Sequence, residues 1–193
     1  MEVGFKMRKI VIIFLFIFLL SSCQSRSQSF DVNSFTEKDI SVYIKNRSIQ
    51  IGMNRDSVEK AIGKSIESAS VNNILFERYD GVELCYRGDI VAGFSIGLST
   101  DKETKKSCRI YRNIGLGSSY EDLIKAYGDG IKVEYNSYNY WFDTSNGNFK
   151  KLITAQELEL SDKDKWVGIG FSIENNIVTL ITAGYLKYLS KCE

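Results

Sequence analysis

The stretch that decides the fold reads Ile49-Gln-Ile-Gly-Met-Asn-Arg-Asp-Ser-Val-Glu-Lys-Ala-Ile-Gly-Lys64, and a second copy follows 65 positions later. The second copy reads Ile114-Gly-Leu-Gly-Ser-Ser-Tyr-Glu-Asp-Leu-Ile-Lys-Ala-Tyr-Gly-Asp129. Aligned without a gap, the copies share Ile49/Ile114, Gly52/Gly117, Lys60/Lys125, Ala61/Ala126 and Gly63/Gly128. An internal repeat of this kind indicates that two segments of the chain form the same supersecondary structure.

Each copy predicts a tight turn followed by a short helix. The first shared glycine forms the turn, and Gly63 or Gly128 suits the left-handed position after the last helical residue. Asn54 and Ser119 are good N-cap residues. Apolar residues then recur at helical spacing, at Val58, Ala61 and Ile62 and at Leu123, Ala126 and Tyr127. So short a helix needs another element to cover its apolar face.

Alternating apolar residues and turn signals predict the antiparallel strands that cover the helices. Asp80-Gly81, between Ile74–Tyr79 and Val82–Tyr86, is a strong hairpin signal. The other predicted strands are 40–44, 49–51, 90–96, 108–111, 131–135, 138–142, 166–173 and 177–183. We therefore predict an α+β fold class of two tandem repeats, each a short helix packed on an antiparallel β-sheet.

The predicted repeats cover residues 40–106 and 107–193. Gly88-Asp89-Ile90-Val91 matches Asn175-Asn176-Ile177-Val178 at an offset of 87, against 65 for the helix, so the second repeat carries 22 extra residues. We place these residues in an inserted loop around 145–165. A loop of that length is more often functional or disordered than a bare connector.

The N-terminal segment has the pattern of an export signal. Met7-Arg8-Lys9 precedes the uninterrupted apolar run Ile10–Leu20, which is too short for an ordinary membrane span. This pattern predicts a signal peptide at residues 1–22. Leu20-Ser21-Ser22-Cys23 also resembles the lipobox of bacterial lipoproteins, which implies cleavage before Cys23 and acyl chains on that residue. The alternative is an ordinary secreted protein with an incidental cysteine.

Lipidation at Cys23 would place the protein in a bacterial cell envelope, since several acyl chains on one residue make a firm membrane anchor. Gln24 stands where the enteric sorting rule places Asp in inner-membrane lipoproteins. If the organism has two membranes, the outer membrane facing the periplasm is therefore favoured. Residues 23–39 begin with a Ser-rich segment that lacks apolar periodicity, and we predict a flexible tether there.

The composition excludes several function classes. Removing residues 1–22 leaves 171 residues with 22 basic and 23 acidic side chains, a balance of −1 that recruits no nucleic acid. The chain has no His, which excludes Ser-His and Cys-His nucleophile pairs and His-ligated zinc. Cys85, Cys108 and Cys192 lack CxxC spacing, and in an oxidising compartment they permit one disulfide with three possible pairings. No cofactor is expected.

The inserted loop contains the one group of acidic residues that suggests a cation site. Glu157, Glu159, Asp162 and Asp164 could bind a hard cation, but calcium needs six or more oxygens, which this run alone does not supply. Such acidic pairs are also common in solvated strands and loops. We therefore expect no metal site.

The aromatic stretch Tyr135-Asn-Ser-Tyr-Asn-Tyr-Trp-Phe142 is the richest candidate contact surface. Tyr and Trp are frequent binding anchors, which makes Trp141, Tyr138 and Tyr135 the candidate partner-binding residues. The alternative is that alternate members belong to the core, because strand side chains alternate between two faces. We expect Tyr140 and Phe142 to be buried, with Trp141 on the opposite face.

The pattern Ile-Gly-Met-Asn-x-x-x-Val-x-x-x-x-Gly at Ile51–Gly63, with its downstream strands, resembles the SmpA/OmlA family of small outer-membrane lipoproteins. The tandem arrangement resembles the related β-lactamase inhibitory protein fold. The family often has Pro after the closing glycine, whereas Lys64 and Asp129 stand there and the chain has no Pro. The resemblance implies a protein-binding role, and no partner-contacting residue is carried over from it.

We therefore predict a lipid-anchored, non-enzymatic protein-binding module in the bacterial envelope. The first hypothesis is an adaptor in envelope or outer-membrane assembly. The second is an inhibitor or immunity-type protein that occludes an enzyme. An enzyme that works with carboxylates alone is a third class, for which the sequence offers no positive signal.

Overall fold

The computed structural model describes residues 31, 34–98, 108–133, 136–152 and 162–186. Within these residues the chain forms two α-helices, α1 (Arg55–Ile62) and α2 (Tyr120–Tyr127), and short 3-10 turns at Glu37–Ile40 and Lys163–Lys165. The strands of the described residues are β1 (Ser41–Ile44), β2 (Arg47–Gln50), β3 (Glu67–Val71), β4 (Ile74–Tyr79), β5 (Val82–Arg87), β6 (Ile90–Ile96), β7 (Arg109–Ile110), β8 (Ile131–Val133), β9 (Ser137–Asp143), β10 (Lys150–Leu152), β11 (Trp166–Glu174) and β12 (Ile177–Tyr185).

The strands form one large and one small antiparallel sheet. The large sheet has the order β10-β9-β11-β12-β6-β5-β4-β3, and β8 pairs with the same edge of β9 as β10 does. The small sheet has the order β2-β1-β7. Each sheet therefore contains strands from both segments that carry the sequence repeat.

The predicted fold class, two tandem repeats that each pack a short helix on a sheet of their own, is wrong. The protein is mostly β-structure, and a single large sheet runs without a break through both halves of the chain. β12 pairs with β6 from Ile181↔Ile96 to Gly184↔Gly93. In the small sheet, β1 of the first half pairs with β7 of the second.

The two halves merge because each would otherwise leave an open strand edge. An unpaired edge exposes a row of backbone N–H and C=O groups, and the pairing of β6 with β12 satisfies both rows at once. Ile96 and Ile181 are fully buried at this junction. A Cβ atom at Gly93 would lie 2.5 Å from the carbonyl oxygen of Ala183, so glycine is required where the two strands meet.

The sequence repeat survives as a local motif that joins each helix to a hairpin. The N–H of Gly52 donates to the C=O of Val91 over 2.8 Å, and the N–H of Val91 donates to the C=O of Met53 over 2.9 Å. The second copy makes the same two bonds among Gly117, Val178 and Ser118. The turn residues of the two copies are 65 positions apart and the hairpin residues are 87 positions apart. Both pairs of equivalent residues therefore take part in the same repeated contact.

The predicted helices and N-caps are confirmed. Asn54 accepts a hydrogen bond from Ser57 N–H over 2.8 Å, and Ser119 forms a reciprocal capping box with Asp122. The closing glycines differ from the expectation. Gly63 has φ +91° and ψ −174°, and Gly128 has φ +68° and ψ −163°. Both have positive φ, but they lie in an extended region that is essentially restricted to glycine instead of the left-handed helical region.

The main core lies between one face of the large sheet and a layer made of α1, α2 and the small sheet. Aromatic side chains fill the second half of this core, where the Tyr127 ring lies 5.5 Å from both Tyr140 and Phe171. The largest fully buried side chains are Tyr86, Tyr127, Tyr140, Phe142, Phe171, Ile40, Ile44, Ile49, Ile74, Leu84, Ile96 and Ile110. We call this face of the sheet the core face.

The segment before β1 packs onto the second half of the chain through Arg112. This buried guanidinium donates to Asp39 and Ser34 and, over 2.6 Å, to the C=O of Ala126 near the end of α2. The Phe35 ring lies 4.3 Å from the Arg112 guanidinium carbon. Residues 34–39 of the predicted tether are therefore part of the packed domain.

The predicted signal peptide, Cys23 and residues 24–30 lie outside the described residues. No helix in the part of the chain that the structure describes has the length and apolar character needed to cross a membrane.

Candidate functional site

The outer face of the large sheet, opposite the core face, carries a pocket at its centre. Side chains of paired residues lie on the same face of a sheet, so the strand register shows which residues meet there. One row across six strands reads Trp141↔Gly168↔Gly184↔Gly93↔Cys85↔Phe76. Three adjacent glycines thus form a floor that is bounded by an aromatic ring at each end. We call this feature the glycine groove.

The neighbouring row of the outer face is polar. It reads Asn139↔Gly170↔Thr182↔Ser95↔Glu83. The pocket that both rows line has a volume of about 310 Å³, which lies at the small end of the range for ligand pockets. Among its described lining residues, Glu83 is the one charged side chain. The groove therefore offers apolar surface beside neutral hydrogen-bonding groups and one carboxylate.

Glycine is needed at the floor because Trp141 lies against the backbone. A Cβ atom at Gly168 would lie 2.5 Å from the Trp141 ring, and one at Gly170 would lie 2.9 Å from both Asn139 Oδ1 and Thr182 Oγ1. Trp166 supports the indole from the side, with ring centroids 6.0 Å apart. Trp141 is half-buried, so one part of its ring is fixed while the rest lines the pocket.

The structure separates the three aromatic residues predicted to contact a partner. Trp141 lies in the groove. Tyr138 lies on the core face, where its half-buried ring packs 4.8 Å from Tyr120 of α2. Tyr135 lies outside the described residues. Tyr140 and Phe142 are buried as predicted, and Tyr140 donates to the C=O of Gly128 over 2.9 Å.

One strand of the inserted loop, β10, lies beside the groove. Its Leu152 pairs with Trp141. Residues 153–161, including Glu157 and Glu159, lie outside the described residues. Asp162 accepts a hydrogen bond from Asp164 N–H over 3.1 Å and caps the following turn. Among the described residues, no group of three or more His, Cys, Asp or Glu could hold a metal ion.

The described cysteines lie on different sides of the large sheet. Cys85 belongs to the groove row and is buried. Cys108 is fully buried in the main core, and its thiol donates to the C=O of Asp80 over 3.7 Å. Because Cys85 and Cys108 lie on different sides of the sheet, the predicted pairings that stay open are the two with Cys192, which lies outside the described residues.

A second polar cluster lies on the core face around a buried carboxylate. Glu77 is fully buried, and it accepts hydrogen bonds from Arg55 of α1 and, over 2.7 Å, from Tyr79. Burial raises the pKa of Tyr79 far above its ordinary value and raises the pKa of Tyr86 to about 12. Both hydroxyls therefore stay protonated, and the cluster ties α1 to the sheet.

Sequence reasoning missed most of the groove. It treated glycines only as turn and helix-end residues, and Gly93, Gly168, Gly170 and Gly184 were not singled out. A usable signal was present, since glycine inside a strand often marks a close approach by a ligand or another chain. These glycines come together across three strands only through the β6–β12 pairing, which the local pattern did not contain.

No protein-family model matches this chain, and no curated protein matches it. One solved structure that aligns with it is that of an extracellular protein containing a SCP domain from Bacillus anthracis str. Ames. The alignment covers 73% of this chain with 12% identity and a TM-score of 0.41. This chain spans 46% of the length of that protein. A likeness of this size carries no argument, and the resemblance to the SmpA/OmlA family stays a prediction.

Proposed function

We propose that this protein is a lipid-anchored bacterial envelope protein that binds another protein through the glycine groove. The lipobox-like sequence that ends at Cys23 supports the anchor. The row of three glycines bounded by Trp141 and Phe76 supports the binding surface, and this row is the observation that carries the proposal.

The groove suits a protein side chain or loop. A half-buried Trp held by its neighbours gives contact area at low entropic cost, and an aromatic anchor in a central pocket is typical of interface hot spots. The polar row supplies Asn139, Ser95 and Thr182 to pair with backbone groups of the bound segment. This lining favours recognition over catalysis.

An adaptor in envelope assembly, held at the outer membrane and facing the periplasm, is the first form of this function. The second form is an inhibitor or immunity-type protein. It is favoured by the position of β10, the described strand of the inserted loop, because Leu152 of β10 pairs with Trp141 of the groove.

In-cell crosslinking of the native lipoprotein, followed by mass spectrometry, distinguishes these forms, with Cys23→Ala as the unanchored control. We expect membrane-complex subunits that are lost with Cys23→Ala if the protein is an adaptor. A single enzyme captured with or without the anchor would support the inhibitor. Absence of any reproducible protein partner would contradict the proposal.

Two variants assign the captured partner to the groove. Trp141→Ala removes the anchor, and Gly168→Ala displaces it, because the new Cβ would occupy the position of the indole ring. We expect each to reduce capture at least about tenfold, the loss typical of an interface hot spot. Ser172→Ala, on the same face of β11, is the matched control. Equal capture by all three variants would exclude the groove as the binding site.

A further inference from the structure

The two outer edges of the large sheet are protected very differently. At one edge, β8 and β10 have three residues each and carry Lys132, Lys150 and Lys151. Short strands and lysines are the usual protection against pairing with another chain. At the other edge, β3 has five residues with the sequence Glu-Ser-Ala-Ser-Val, contains neither Lys nor Pro, and is exposed along its whole length. The described residues place no strand against its outer side.

The exposed edge of β3 is regular and apolar at its end. Its register with β4 runs unbroken from Glu67↔Arg78 to Val71↔Ile74. The side chains of Ile66 and Val71 are 65% and 55% exposed. Glu67, the one charged residue in the strand, already forms an ion pair with Arg78. The one negative charge of the strand is therefore balanced by a cation on the neighbouring strand.

The turn after β3 shows which backbone groups point outward. Asn72 and Asn73 both have positive φ, 48° and 62°, which defines a two-residue type I′ hairpin turn. Such a turn is closed by a hydrogen bond that the N–H of Ile74 donates to the C=O of Val71. Since backbone groups alternate along a strand, Ser68 and Ser70 direct their N–H and C=O groups away from β4.

We propose that this edge pairs with β3 of a second copy of the chain, in antiparallel orientation about a two-fold axis at Ala69. In this register Ser68 of each copy faces Ser70 of the other, which forms about four backbone hydrogen bonds. Glu67 faces Val71, so the two carboxylates stay apart. Ala69 meets Ala69 at the closest approach of the strands, where a small side chain fits.

The strand is self-complementary, which is what a two-fold interface requires. On one side of the paired strands, Ala69 and Val71 of both copies form a small apolar centre with Glu67 at its ends. On the other side, Ser68 and Ser70 of both copies lie together. The pairing joins two large sheets into one and involves neither the glycine groove nor α1 and α2.

Disulfide crosslinking of the full-length protein in intact cells tests the register. Facing residues at the axis have Cα atoms about 4.5 Å apart, within disulfide range. The two copies of Val71 would lie about 14 Å apart, beyond that range. On mild oxidation, Ala69→Cys should therefore give at least about ten times more covalent homodimer than Val71→Cys or the unaltered protein.

A second variant tests whether the outward backbone groups hold the pair. Ser70→Pro removes an outward N–H and leaves the bonds to β4 in place, so Ala69→Cys with Ser70→Pro should lose the homodimer. Ser68→Lys, which adds the protection found at the other edge, should give the same loss without a proline. Equal crosslinking at positions 69 and 71 would overturn the proposal. Adducts of Ala69→Cys with a different protein would assign the edge to another partner and would also overturn it.

Discussion

The first residues of the two helices meet the large sheet in opposite ways. Arg55 of α1 forms an ion pair with the buried carboxylate of Glu77, whereas Tyr120 of α2 packs its ring against Tyr138. Arg55 and Tyr120 are 65 positions apart and equivalent in the repeat. One backbone motif therefore accepts either a charged or an aromatic contact at the same place.

The sheet residues in this comparison are also equivalent. Glu77 pairs with Leu84, and Tyr138 pairs with Phe171. Leu84 and Phe171 are separated by 87 positions, the offset of the repeated hairpin. Each hairpin has a register shift at the same point, Cys85/Tyr86 in the first and Ser172/Ile173 in the second. The two hairpins therefore share the same register shift, although the contact between helix and sheet is ionic in the first half and aromatic in the second.

The ionic contact depends more strongly on each of its members. A fully buried carboxylate needs its partners, and Glu77 has Arg55, Tyr79 and, at 3.4 Å, Ser65. Loss of one member of a buried pair leaves an uncompensated charge. Loss of one tyrosine from the aromatic contact leaves only a smaller apolar surface. The comparison therefore predicts unequal effects from equivalent substitutions.

The largest effect is expected for Arg55→Met, which leaves the Glu77 carboxylate buried without its cation. We expect the free energy of unfolding to fall by about 3 kcal/mol, the lower end of the range for a broken buried pair because Arg55 is partly exposed. Urea denaturation measures the change. The exposed Arg47→Met is the matched control and should have little effect. A loss below about 1 kcal/mol would contradict the importance of the pair.

A smaller effect is expected when both members of the pair are replaced by the residues of the second half. Arg55→Tyr with Glu77→Tyr removes both charges and introduces the contact seen between Tyr120 and Tyr138. Replacement of a buried ion pair by apolar groups often leaves stability unchanged. We therefore expect the free energy of unfolding of the double variant to lie within about 1.5 kcal/mol of that of the unaltered protein. If the double variant is less stable than Arg55→Met, the two contacts are not interchangeable.

At neutral pH, substitutions at the two helix caps should differ less in their effect on stability than substitutions in the two helix–sheet contacts. Asn54→Ala and Ser119→Ala each remove an N-cap side chain, and we expect a loss of about 1 kcal/mol for each. Ser119→Ala should have the larger effect, since it also breaks the reciprocal contact with Asp122. Urea denaturation at neutral pH provides the measurement. Equal stability of both variants and the unaltered protein would show that neither cap matters.

The smallest effect distinguishes the two caps by their pH dependence. Hydrogen bonds from the Ser119 side chain, and then from its backbone, hold the pKa of Asp122 below its ordinary value of 3.8. A carboxyl whose pKa is lower in the folded state than in the unfolded state stabilises the folded state at a pH above its unfolded-state pKa. This stabilisation is lost as the pH falls through the folded-state pKa. The loss of unfolding free energy caused by Ser119→Ala should therefore be constant above pH 3.8 and become smaller below it. The effect of Asn54→Ala, an amide cap, should show no such change.

The parts of the fold that sequence predicts are those set by near neighbours. Asn54, Ser119 and the closing glycines fix the helices within a few residues, and Asp80-Gly81 fixes a hairpin. β3 was missed, since its Ser-Ala-Ser centre has no apolar alternation. β10 was missed as well, because it lies within a loop and is rich in lysine.

The large sheet and the groove depend on contacts between distant residues. Nothing near Gly93 or Gly184 specifies that β6 pairs with β12, because either strand could have been a sheet edge. Once that pairing exists, Trp141 and Phe76 bound the same row although 65 residues separate them. Trp141 was predicted as a contact residue from its type and strand face, whereas the glycines beside it acquire a role only from the assembled sheet.

The most direct test of the groove as a binding site is photo-crosslinking in cells from a reactive residue placed at Asn139, with Val133 as the control. Asn139 lines the groove, and Val133 is exposed at the lysine-protected edge of the same sheet. The account predicts a defined protein adduct from position 139 that Trp141→Ala abolishes, with none from position 133. Adducts of equal yield from both positions, or an adduct from 139 that persists in Trp141→Ala, would contradict it.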